Sequence, residues 1–133
     1  MRHRKRRTRL GRTGSHKAAM LANMVSSLIE HESIRTTKES AKEARRLADK
    51  MVTLAKNGSL ASRRRALAKL HNKRAISKLF AEIGPRNAAR NGGYTRIIPL
   101  DEPRLGDKAS QVLFQLVERA QKEAPASKEA KKT

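Results

Sequence analysis

Gly84-Pro85-Arg86-Asn87-Ala88-Ala89-Arg90-Asn91-Gly92-Gly93-Tyr94-Thr95-Arg96-Ile97-Ile98-Pro99 is where the chain changes its hydrophobic rhythm. Before this run apolar residues recur three and four apart. After it they alternate. Gly84-Pro85 is expected to end a helix, because proline lacks the N–H and crowds the preceding turn. Asn91-Gly92-Gly93 marks a turn. Tyr94–Ile98 is rich in β-formers, and Pro99 makes it an edge strand or a strand end. A helical stretch followed by strands in one short chain gives an α+β domain.

Upstream, Ser15 fits the N-cap of a helix over 16–31, with Met20, Leu21, Met24, Val25, Leu28 and Ile29 at helical spacing. Ile34 and Thr36 suggest a short strand. Thr36 and Glu39 have capping-box spacing, and a second helix follows with Ala41, Ala44, Ala48, Met51, Val52 and Ala55 on one face. Asn57-Gly58 stops it. Ser59 opens a third helix to about Leu70. Asn72 caps a fourth, whose stripe is Ile76, Leu79, Phe80 and Ile83. Downstream, residues 99–109 read as a loop. Gln111–Val117 is a strand with Val112, Phe114 and Leu116 on one face. The expected order is α-β-α-α-α-β-β: a two-layer domain with helices packed on a small mixed sheet. Its expected limits are residues 15–118, with a basic arm over 1–14 and a disordered tail over 119–133.

The chain has 133 residues, fitting one domain, and its 32 Lys and Arg against 12 Asp and Glu give a net charge of +20. The excess is uneven. Residues 1–29 hold eight bases and no acid, while residues 30–49 hold five of each. Residues 50–82 hold nine bases and one acid, and residues 101–123 are net negative. An arm with only positive charge cannot relieve its own repulsion, and a polyanion such as nucleic acid would neutralise it. A targeting peptide or a solvated tail would share that composition. There is no Cys, so no disulfide and no thiolate zinc site. No apolar run approaches the ~18 residues that span a bilayer.

The cationic candidates fall in three places. The arm supplies Arg2, His3, Arg4, Lys5, Arg6, Arg7, Arg9 and Arg12, continued by His16 and Lys17. The third helix supplies Arg64 and Arg65, with Lys69, Lys73, Arg74 and Lys78 further on. Arg63 falls among Leu60, Leu67 and Leu70 on a helical wheel, so it must snorkel or find a partner. The glycine-rich connection supplies Arg86, Arg90 and Arg96. It is no P-loop, since no Gly-Lys-Ser/Thr follows. With only Phe80, Phe114 and Tyr94 as aromatics, the chain lacks a platform for stacking bases. Recognition is then expected through phosphate, sugar and folded shape. The four histidines are scattered, and His16 and His31 sit at opposite ends of one helix. Spacing reveals no catalytic constellation, no metal site and no cofactor motif. The Glu30–Glu32 pair reads as surface. A nucleoid-type DNA-binding protein would share the charge, and an RNA-modifying enzyme would need an acid-base set that spacing does not show.

Taken in order, these residues resemble the bacterial large-subunit ribosomal protein L-seventeen family. The matching features are Met1-Arg2-His3-Arg4, Ser15-His16-Lys17, Ala19-Met20 and Asn23-Met24. Then come His31-Glu32-x-Ile34-x-Thr36-Thr37, Ala41-Lys42-Glu43-x-Arg45 and Gly84-Pro85-Arg86. Arg90-x-Gly92-Gly93-Tyr94-Thr95-Arg96-Ile97 and Arg104-x-Gly106-Asp107 complete the set. Lys17 stands where the family often has Arg, which keeps the charge but loses the bidentate fork. The resemblance covers about residues 1–118. It implies a structural, non-enzymatic constituent of the large ribosomal subunit that stabilises its rRNA and so supports translation. It also implies a cytoplasmic, ribosome-bound protein near the polypeptide exit region, with neighbouring ribosomal proteins as partners and a mixed α/β fold. Since the pattern begins at Met1, it argues against a cleavable presequence.

Overall fold

A computed structural model of the chain describes residue 3 and residues 8–120. The order of elements is α1 (Gly14–His31), β1 (Ser33–Thr37), α2 (Lys38–Asn57), α3 (Leu60–Leu70) and α4 (Lys73–Lys78), then a π-helical turn (Leu79–Ile83) and a last helical turn, α5 (Gly84–Arg86). Two strands follow, β2 (Thr95–Pro99) and β3 (Gln111–Leu116). With α4, the π turn and α5 taken as one helical run, this is the expected α-β-α-α-α-β-β order.

The sheet has the order β1-β3-β2, and both pairings are antiparallel. It is therefore not mixed. β1 and β2 run the same way, but β3 lies between them, so no parallel pair forms. Pro99 closes an edge strand, where its missing N–H costs no ladder bond. Ile34, Phe114 and Ile97 share one register position, as do Arg35, Leu113 and Ile98. Successive strand residues face opposite sides, so the Phe114 row packs inward and Arg35 falls on the other face.

Helix α2 lies at the centre, touching α1, α3, the π turn and all three strands. Its inward face is mostly alanine (Ala41, Ala44, Ala48, Ala55) with Met51 and Val52, all buried. Phe114, Leu28, Leu79 and Ile83 complete the core against it. Small side chains let backbones approach closely, and Gly84 uses this. A Cβ added at Gly84 would lie 2.9 Å from the carbonyl oxygen of Ala55 and 3.2 Å from its Cβ. Gly84→Ala is therefore expected to lower stability by about 1–3 kcal/mol through overpacking. A lower urea midpoint at unchanged slope would measure it.

Several boundaries differ from the sequence reading. Helix α1 is capped by Thr13, not Ser15: the Lys17 N–H already donates to the Thr13 carbonyl at 2.8 Å. Thr36 does not form a capping box with Glu39, because it is held in β1 opposite Val112. Thr37 becomes the N-cap, and its hydroxyl donates to Ser40 Oγ at 2.9 Å. Gly84-Pro85 does not end the fourth helix. The N–H of Gly84 donates to Leu79, five residues back, and this widened turn relieves the clash an inserted proline ordinarily causes. The helix runs on to Arg86 and stops at Asn87. In α3 the inward row is Ser62, Ala66 and Leu70, which turns Leu60 outward.

The remaining signals act as read. Gly58 takes a left-handed conformation (φ 65°) and donates to Leu54. Ser59 Oγ accepts from the Ser62 N–H, and Asn72 Oδ1 accepts from the N–H groups of Arg74 and Ala75.

Candidate nucleic-acid interface

Of the arm, Arg2, Arg4, Lys5, Arg6 and Arg7 lie outside the described residues, and His3 is exposed. From Thr8 onward the segment is tied to the fold. Lys17 forms an ion pair with Glu43 Oε2 at 3.0 Å, and its ammonium also donates to the Thr8 carbonyl. Lys17 is mostly buried in doing so, and thus anchors the arm where α1 meets α2. Arg9 and Arg12 stay exposed. Arg12 Nη1 lies 3.0 Å from His16 Nε2, a contact that needs His16 to accept through that nitrogen.

Beside Arg12 a groove of about 500 Å³ is lined by Arg35, Arg104, Met20 and Thr37, among others. The sequence reading missed Arg35 and Arg104. Strand alternation could have found Arg35, because its neighbours Ile34 and Thr36 face the core. Arg104 stands in the family pattern Arg104-x-Gly106-Asp107, but strand alternation gives no sign of where it faces. Its guanidinium is engaged by Asp107, through Nε to Oδ1 at 3.0 Å and a second contact from Nη2 to Oδ2.

On α3 and α4, Arg64, Arg65, Lys69, Lys73 and Arg74 are all exposed. None has a carboxylate partner among the described residues. The cause is local: Leu60–Lys78 contains no acid, so no i,i+4 partner exists. Arg63 settles over Phe80, with its guanidinium carbon 5.1 Å from the ring centroid. That is a cation–π contact at the rim of the core.

The glycine-rich connection divides its arginines. Arg86 is held bidentately by Glu32, at 2.8 Å to Oε1 and 3.1 Å to Oε2. It also reaches Glu82 at 3.3 Å and the Glu118 carbonyl at 3.3 Å. Arg90 donates to Glu118 Oε1 at 3.0 Å. Arg96 is exposed, opposite Gln115 and Ser33 on the sheet face that also bears Arg35. Tyr94 is buried at the rim, where its hydroxyl lies 3.1 Å from Lys56 Nζ.

Glu32, read from sequence as surface, is buried. Besides Arg86 it takes Lys78 Nζ at 3.2 Å and the Ala120 N–H at 2.7 Å. Hydrogen bonding from Arg86, above all, pulls its pKa down to about 2 against burial. Asp49 accepts from the Thr95 hydroxyl at 3.3 Å, and burial raises its pKa. A division of labour results. Glu32, Glu43, Asp49 and Glu118 hold elements together, and the unmatched cations point outward. Ala120 still belongs to the fold through Glu32, while residues 121–133 of the expected tail lie outside the described residues.

The scaffold and its surface define a class: a small α+β protein whose arm, third helix and outer sheet face each present exposed cations. The comparisons narrow it. The family model for ribosomal protein L17 matches residues 20–117. The large ribosomal subunit protein bL17 of Syntrophotalea carbinolica (strain DSM 2380 / NBRC 103641 / GraBd1) is 53% identical over 118 residues, which is 89% of this chain and 76% of that protein. The chain belongs to the ribosomal protein L17 family.

Proposed function

We propose that the chain is a structural constituent of the large ribosomal subunit, stabilising large-subunit rRNA through its phosphate backbone and so supporting translation. It performs no reaction and needs no cofactor or metal. It works in the cytoplasm, bound to the ribosome beside other large-subunit proteins. The observation that supports this most is the contrast between committed acids and uncommitted cations. A cation already matched by a carboxylate gains little from phosphate, whereas Arg9, Arg64, Arg65 and Arg96 have no such match among the described residues. Their spread over the arm, α3 and the sheet fits a protein that touches several RNA segments at once. Arg12, His16, His3 and the five arm cations Arg2, Arg4, Lys5, Arg6 and Arg7 join this surface. Lys17, Arg86 and Arg90 act mainly by shaping it. Residues 1–14 serve as the RNA-seeking arm and residues 15–118 as the domain.

Two measurements test this. The tagged chain should co-sediment with large subunits from cell lysate, and rRNA fragments should outcompete duplex DNA at matched salt. Preference for duplex DNA would defeat the proposal. Arg64→Ala with Arg65→Ala should weaken rRNA binding by about tenfold and lower the salt slope by about two, one for each phosphate left unneutralised. Thermal stability should be unchanged, since neither side chain packs inside.

A further inference from the structure

Two large apolar side chains among the described residues stand out in solvent: Leu60, and Leu105 at 98% exposure. Leu60 lies on α3 beside its arginines. Leu105 is different, because it tips the connection between β2 and β3, and that connection is braced. The Arg104 N–H donates to the Ala109 carbonyl at 3.1 Å, and the Lys108 N–H to the Arg104 carbonyl at 3.0 Å. Asp107 Oδ1 accepts from the Ala109 N–H at 3.2 Å while the same carboxylate grips Arg104. Gly106 (φ 100°) supplies the turn. A leucine on such a base is presented in a fixed place, so little ordering entropy remains to be lost on docking.

Charge decides what it docks to. Asp101, Glu102 and Asp107 outnumber Arg104 and Lys108 around this tip, in a chain whose net charge is +20. Arg104 is already neutralised by Asp107. With that pair set aside, the exposed Asp101 and Glu102 outweigh the exposed Lys108, so the tip of the loop disfavours phosphate. Proteins sharing a phosphate scaffold are themselves basic, for the reason that makes this chain basic. We propose that the β2–β3 loop is a protein-docking knob: Leu105 enters an apolar pocket on a neighbouring basic protein, with Asp101 and Glu102 facing that pocket's cationic rim. This rests on the chain residing in the large subunit, as proposed above.

The test places the photo-crosslinker p-benzoyl-phenylalanine at position 105 of the full chain, incorporated into large subunits. The expected result is an adduct resistant to ribonuclease and destroyed by protease. An adduct to rRNA, or none in subunits that contain the chain, overturns the docking proposal alone. Failure of the wild-type chain to sediment with large subunits would overturn both readings. A second measurement competes variants against wild type for incorporation. Leu105→Asp should fall behind by about tenfold, as losing burial of one leucine implies, while Leu105→Met should keep pace. Both should melt like wild type, because position 105 makes no part of the core. Equal incorporation of Leu105→Asp would overturn the proposal.

Discussion

Raising salt from 50 to 200 mM is expected to weaken binding to large-subunit rRNA by about 10³–10⁵-fold, as counterion release at roughly eight phosphate contacts requires. The arm alone can supply most of those contacts. Changing Arg2, Arg4, Lys5, Arg6, Arg7, Arg9 and Arg12 to Gln should flatten the plot of log affinity against log salt by about one for each phosphate no longer neutralised. Affinity at low salt should fall by several powers of ten, and the thermal midpoint should hardly move. Lys17 makes the contrast. It carries the same charge in the same stretch, but it is committed to Glu43 and the Thr8 carbonyl. Lys17→Gln should lower stability and leave most of the slope in place. Filter binding across a salt series, with a melting curve for each variant, separates the two behaviours. A slope that survives removal of all seven arm cations would refute the arm's role.

What the sequence made legible follows from which forces are local. The inward faces of α1, α2 and α4 were readable because a helix repeats its burial every three to four residues, and Val25, Ala44 and Ile76 sit where that period puts them. Gly58, Ser59 and Asn72 were readable because each acts on backbone groups within four residues. Pro85 misled because its effect depends on a π turn that no nearby residue signals. The candidate surface divides in the same way. Arg64 and Arg65 are exposed and unmatched because their own helix lacks acids, a fact visible in the sequence. Arg86 has one local partner, Glu82 four residues before it, yet its bidentate partner Glu32 lies 54 residues away. Lys17 and Glu43 likewise meet only through packing of α1 on α2. Charge composition identifies a cationic protein, but only tertiary structure reveals which cations are already matched.

Glu32→Ala is expected to be among the most destabilising single changes in the fold, by about 3 kcal/mol, because it strips a buried acceptor from Arg86, Lys78 and the Ala120 N–H together. A domain of this size would melt about 10 °C lower. Arg86→Ala should cost less. It leaves Glu32 with Lys78 and the Ala120 N–H, whereas Glu32→Ala leaves the Arg86 guanidinium half-buried with only Glu82 and a carbonyl at 3.3 Å. In the double variant the penalties should not add, because no charge is then stranded. The pH dependence follows from the same geometry. Glu32 has a folded pKa of about 2 against an ordinary value of 4.5, so folding favours its charged form. The stability it supplies is therefore fully present above pH 4.5 and is lost as pH falls toward 2. A depression of that size corresponds to about 3 kcal/mol between the two ends of the window. Urea titrations at pH 7, 4.5, 3 and 2 should show wild type and Glu32→Ala converging as the acid form is reached. If their separation stays constant down to pH 2, the carboxylate's charge is not what joins α1, α5 and the segment after β3.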